Sequence, residues 1–407
     1  MPLSAKHTTI EVGGTKLHIP EGINYSCSGC GRCCHGVAVP MTAEDYKRVS
    51  AIDFSKDLPQ FDWKNAYRAL SPQESANTNY THAIRPTEDG HCPFLVNKLC
   101  HIHGKYGAEV KPLICGLFPY SFNRTPSGTY LTVSFRSNAV LANIGTPLTE
   151  QLDTLKEKLR VYETVYDANH IIWDKVKLTV DKPITWDEYL GAENSILEAL
   201  LQPNKSLKQR VYDASDSLFQ LLNSPAPAVT DAGSPKKVDE RLLAGLYELY
   251  LPNTEAHRDV RFNGIKFAFD LAIRNPSFKT LNKSYSYETL SKFPFPDDQE
   301  VDDLLTRFIF SRVFGKWYFG GGFAQLSVIA GFHHVALLLA LTRLHASASA
   351  IARGADKVSM LDIMETVRQL EEKISVAVLD GYSAGLWELL LFSRQRIHRI
   401  LDSCFSK

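Results

Sequence analysis

The run Cys27-Ser28-Gly29-Cys30-Gly31-Arg32-Cys33-Cys34 places four thiols in eight positions, and its reading decides what folds around it. Thiols this close along a chain cannot all pack as small hydrophobes, and the intervening glycines let the backbone curl so that several sulfurs reach one centre. Three more cysteines, Cys92, Cys100 and Cys115, follow within the first 115 residues, and only Cys404 lies apart. The first residues, Met1 to Thr8, contain no apolar core of the length a secretory signal needs, so a cytoplasmic protein with reduced thiols is expected. In that compartment a cysteine cluster reads as metal-binding before it reads as a disulfide framework.

Cys27, Cys30 and Cys33 form C-x-x-C-x-x-C, the run by which ferredoxin-type segments give three thiolates to one iron–sulfur cubane. Cys34, Cys92, Cys100 or Cys115 could supply the fourth. Zinc competes, because four thiolates also close a tetrahedral site and His35, His91, His101 and His103 add nitrogen donors nearby. Spacing alone does not separate the two. Seven thiols exceed the four that either centre needs, which leaves packing residues, a second site or reactive thiols for the surplus. Arg32, inside the run, could offset the charge of a thiolate centre or simply face solvent.

Working outward, Thr9 to Ile19 alternates apolar and polar residues on both sides of Gly13-Gly14, the signal for a tight hairpin. Thr42 stands as a helix N-cap ahead of Glu44 and Asp45. Residues 53–91 are polar and aperiodic and read as an irregular, solvated loop. Thr125-Pro126-Ser127-Gly128 predicts a second hairpin between 118–122 and 129–135. From about residue 148 the apolar spacing becomes helical, with Leu152, Leu155, Leu159, Tyr162 and Val165 at intervals of three and four. Thr185-Trp186-Asp187-Glu188 is a capping box. Further helices are expected over 242–250, 266–274, 301–314, 323–344, 360–378 and 386–403, with a Pro- and Ser-rich linker at about 223–237.

The predicted fold class is therefore α+β: a small, irregular, cysteine-rich metal-binding domain with short hairpins over residues 1–147, then a mainly α-helical domain over 148–407. The chain carries 45 basic and 45 acidic residues, so no global field favours nucleic acid. The most apolar stretch, Phe323 to Leu341, is interrupted by Gln325, His333 and His334 and reads as a buried helix rather than a membrane span. The two histidines read as satisfied core residues. Arg312, Lys316, Trp317, Tyr318 and Phe319 read as a core stripe beside a turn, and Cys404 as a surface or lightly packed thiol.

The cysteine run, together with Cys92-Pro93-Phe94-Leu95, Leu99-Cys100-His101-Ile102-His103 and Pro112-Leu113-Ile114-Cys115-Gly116-Leu117-Phe118-Pro119, resembles the YkgJ cysteine-cluster family, described as zinc- or iron-chelating. The resemblance spans about residues 25–120, and all seven N-terminal cysteines fall on family positions. It thus implies Cys27, Cys30, Cys33, Cys34, Cys92, Cys100 and Cys115 as metal ligands. Length and the helical remainder are similar to the flagellin lysine-N-methylase (FliB-like) branch. That similarity implies an iron–sulfur cluster of the 4Fe-4S type, S-adenosylmethionine as methyl donor, and a protein partner presenting lysines. The alternative is a non-enzymatic zinc or iron chelator whose helical part binds a partner. No glycine-rich strand-turn-helix suited to a doubly wound nucleotide fold is present, and the radical-type C-x-x-x-C-x-x-C spacing is absent.

Overall fold

The computed structural model describes every residue except 1, 36–37, 77, 167–172, 174–175, 223–228, 230, 252–263, 281–282, 375–380 and 406–407. Residues 223–228 and 230 of the expected linker at 223–237 lie outside the described residues. The chain forms two compact units, the first of residues 8–172 and the second of 173–407 with 2–7. The helix Leu152–Val165, whose periodicity signals the start of the helical half, belongs to the first unit.

In the first unit the Gly13-Gly14 turn joins the strands His7–Val12 and Thr15–Pro20. Both glycines have positive φ (59° and 81°), as a two-residue hairpin turn demands. The second of these strands pairs in parallel with Gly128–Val133, placing Leu17 opposite Thr129, and Gly128–Val133 pairs antiparallel with Tyr120–Thr125. The result is a four-stranded mixed sheet.

Residues 53–91 are not the solvated loop that their composition suggests. Tyr67–Ala69 and Tyr80–Ile84 join Val39–Thr42 in a three-stranded antiparallel sheet. Phe54 and Leu58 are buried with Val39, Met41, Val49, Ile84, Phe94 and Ile102 in one core cluster. Too few apolar residues occur in this excursion to show a period, yet those few insert into a core built by distant segments. Cys92, Cys100 and Cys115 pack against that cluster.

The second unit is mainly helical, with two short hairpins among its described residues, Val176–Thr179 with Lys182–Ile184 and Phe278–Thr280 with Lys283–Tyr285. At its centre runs Val328–Ala352, buried along nearly its whole length. Although this helix is long and apolar enough to cross a bilayer, its surface is covered by other helices. They include Leu207–Gln220, Lys237–Tyr250, Gln299–Phe314, Met360–Ile374 and Arg394–Cys404. The central helix starts at Val328, five residues later than expected, because Ser327 caps it and Ala324 and Gln325 have φ of 57°. The expected single helix over 386–403 is two, broken where Ser393 accepts a hydrogen bond from Arg396 N–H and caps the second. Cys404 is fully buried, with its sulfur 3.5 Å from the Tyr287 hydroxyl, which corrects the expectation of a surface or lightly packed thiol. Lys316 is buried too, and its ammonium donates to Glu193 Oε1 at 2.8 Å and Phe314 O at 2.9 Å.

Candidate metal centre

Five of the seven N-terminal cysteines, Cys33, Cys34, Cys92, Cys100 and Cys115, line one cavity of about 310 Å³ in the first unit. They arrive on four different pieces of local structure. Gly31 takes φ 71°, and a Cβ there would lie 3.0 Å from the Lys98 backbone, so only glycine lets the cysteine loop close against the Leu95–Cys100 hairpin. The chain then enters a short 3-10 turn, Arg32–Cys34, which carries the vicinal pair with its sulfurs 3.8 Å apart. Two thiolates on one tetrahedral ion with metal–sulfur bonds of about 2.3 Å stand roughly 3.8 Å apart, so this pair fits chelation without rearrangement.

Cys34 and Cys92 meet through the backbone, since Cys92 N–H donates to Cys34 O at 2.8 Å and His35 and His91 form an antiparallel bridge beside them. Cys100 ends the tight hairpin Leu95–Val96/Leu99–Cys100, turned by Asn97 and Lys98 at positive φ, and precedes the helix His101–Tyr106. Asp57 holds that helix: its carboxylate accepts from His101 Nε2 at 3.3 Å, Lys105 Nζ at 2.5 Å and the Tyr106 hydroxyl at 2.8 Å. His101 is thereby turned to Asp57.

Cys115 sits on the one-turn helix Leu113–Leu117, whose first N–H donates to both Asp45 oxygens, at 3.1 and 3.3 Å. Asp45 is fully buried, closes the capping box with Thr42 and pairs with Arg48, which itself donates to Lys111 O at 3.1 Å. One carboxylate therefore fixes both the helix after the cysteine run and the segment bearing Cys115.

Cys27 and Cys30 do not line the cavity; Cys27 is exposed and lies by Tyr25, whose phenol is pushed up by burial and by that thiol. Arg32 is exposed and does not line it either. Lys111 and Arg136 do, a role the sequence reading missed because neither lies within two residues of a cysteine. The thiols feel these charges. Cys33 is brought down to about 6, first by the hydrogen bond from Cys34 and further by Lys111 and Arg136. Cys34 is driven up by the same hydrogen bond, and burial pushes Cys92 up to about 12 and Cys115 up as well. Buried thiols of this kind ionise readily only when a cation replaces the lost water. Among the described residues, no three His, Cys, Asp or Glu side chains are grouped to hold a single ion.

The donor set, soft thiols with two adjacent cations, suits zinc or iron. Residues 26–138 match the model of the CxxCxxCC family, which is described as "Putative zinc- or iron-chelating domain". Metal binding is the class of function that this match supports. The chain is also similar to an uncharacterised protein of Methanocaldococcus jannaschii, 29% identical over 113 residues, which cover 28% of this chain and 35% of the relative. No solved structure matches the chain.

Proposed function

We propose that the first unit binds an iron–sulfur cluster in the five-thiol cavity, with its thiolate ligands drawn from Cys33, Cys34, Cys92, Cys100 and Cys115. One observation carries this reading: five thiols are distributed around about 310 Å³ of space. A lone zinc ion draws four donors in to about 2.3 Å and needs no cavity, whereas a cluster of several atoms does. A centre rich in thiolates carries net negative charge, and Lys111 and Arg136 in the lining support it. Such a cluster supplies one-electron chemistry.

Anaerobically purified full-length protein is expected to be brown and to contain iron and acid-labile sulfide. Colourless protein with stoichiometric zinc overturns the cluster and leaves the simpler zinc-chelating domain. Serine substitution at each of the five cavity cysteines is expected to lower metal content more than Cys27→Ser or Cys30→Ser. The FliB-like resemblance extends the proposal to methyl transfer from S-adenosylmethionine to lysines of a protein partner. Incubating the same preparation with labelled donor and a lysine-bearing protein tests that extension: label on lysine supports it, and no label confines the proposal to metal binding.

A further inference from the structure

His35 and His91 flank the thiols Cys34 and Cys92 in sequence, yet neither lines the thiol cavity. Backbone geometry accounts for this. His35 and His91 are directly opposite in an antiparallel bridge, and the adjacent hydrogen bond from Cys92 N–H to Cys34 O marks them as the closely spaced type of pair. Neighbouring residues along extended chain point to opposite faces, and His35 is extended, with φ −111° and ψ 149°. The thiols line the cavity and the imidazoles do not. The two rings meet edge to face with centroids 4.0 Å apart and planes at 62°. His91 Nδ1 is buried and has no hydrogen-bond partner among the described residues. Burying such an atom without a partner is unfavourable, and a ligand would relieve the penalty.

We propose that His35 and His91 form a second metal site, a two-histidine clamp for a borderline divalent cation such as zinc or cobalt(II), set back to back with the thiol centre. Imidazole nitrogen bonds these ions at about 2.1 Å, which places two ring centroids on one tetrahedral ion about 5 Å apart, so the rings need to open by roughly 1 Å. Water completes the coordination. With two protein donors, and with the Arg136 guanidinium 3.3 Å from His35 O, the ion held there is exchangeable rather than structural. This site does not depend on what fills the thiol cavity.

Cobalt(II) is the probe. Full-length protein, as purified, is titrated with cobalt(II) while absorption and the imidazole resonances of selectively labelled histidine are followed. Thiolate ligation gives intense sulfur-to-metal charge-transfer bands and nitrogen ligation does not. The expected result is uptake of one equivalent without those bands, with two imidazoles broadened. His35→Ala and His91→Ala are expected to weaken that uptake at least tenfold, and His82→Ala, on the strand Tyr80–Ile84, to leave it unchanged. Uptake undiminished in both variants, or no broadened imidazole in the wild type, overturns the proposal. The wild-type resonances decide the matter even if a variant fails to fold. Iron, sulfide and zinc analysis of the same preparation reports separately on the thiol centre, so failure of that reading stays distinguishable.

Discussion

At the scale of single residues, Asp45 shows how a side chain far from the thiols in role can govern them. Its buried carboxylate accepts backbone hydrogen bonds from Thr42 and Leu113 and pairs with Arg48, and it does not line the thiol cavity. Asp45→Ala is expected to destabilise the first unit by about 3 kcal/mol, since charge-assisted hydrogen bonds are lost together and two backbone donors are left in the core. Metal content at temperatures where the variant remains folded is expected to fall, and unchanged content would show that Asp45 supports the fold without positioning Cys115. Arg136 acts by charge instead. Arg136→Gln is expected to make a bound cluster harder to reduce, read as a more negative reduction potential by redox titration, because one compensating positive charge leaves the cavity wall. The sequence put Cys27, Cys30, Cys33 and Cys34 forward together, and only the last two of them line the cavity. Arg136 and Lys111 were not legible in it, because nothing local to them differs from any exposed cation; only chain closure brings them to the thiols.

At the scale of elements, local signals served best where the chain decides its own geometry. The Gly13-Gly14 hairpin, the Thr42 N-cap, the Thr185 capping box and the Tyr120–Val133 hairpin all formed where the sequence indicated. Boundaries that depend on packing were harder to read: the delayed start at Val328 and the break before Arg394 follow from caps that a continuous apolar pattern conceals. Between elements of the second unit, the buried Lys316–Glu193 pair ties the turn after Gln299–Phe314 to the helix Trp186–Leu200. Burial brings Lys316 down to about 8 and raises Glu193, so each charge depends on the other. Glu193→Gln is expected to cost about 3 kcal/mol by leaving a buried ammonium without its counter-charge. The double variant Glu193→Leu with Lys316→Met is expected to recover most of that loss in urea denaturation. If the double variant is no more stable than the single, the pair is not the source of the penalty.

At the scale of the whole molecule, the buried histidines of the second unit set its response to acid. His333 accepts from the Ser215 hydroxyl at 2.7 Å and donates to Leu391 O, while His334 and His345 meet the hydroxyls of Tyr250 and Tyr247 at 3.0 and 2.7 Å. Burial brings His333 and His345 down to about 4 and His334 to about 3, from the ordinary 6.5. These imidazoles stay neutral in the fold and gain protons on unfolding. The stability they contribute is complete above pH 6.5 and is lost as the pH falls toward 4. The urea midpoint of the second unit is therefore expected to drop between pH 7 and pH 5, and a midpoint independent of pH over that interval would contradict neutral burial.

By itself the sequence determined that a thiol-rich metal-binding region would precede a helical one, because ligand spacing, caps and apolar period are properties of short segments. Tertiary structure alone decided which thiols share a cavity, that Phe54, Leu58 and Ile84 from the 53–91 stretch join the core behind them, and that the flanking histidines do not line that cavity. Those outcomes depend on contacts between residues up to about a hundred positions apart, and no local pattern encodes which distant segments will close on one another.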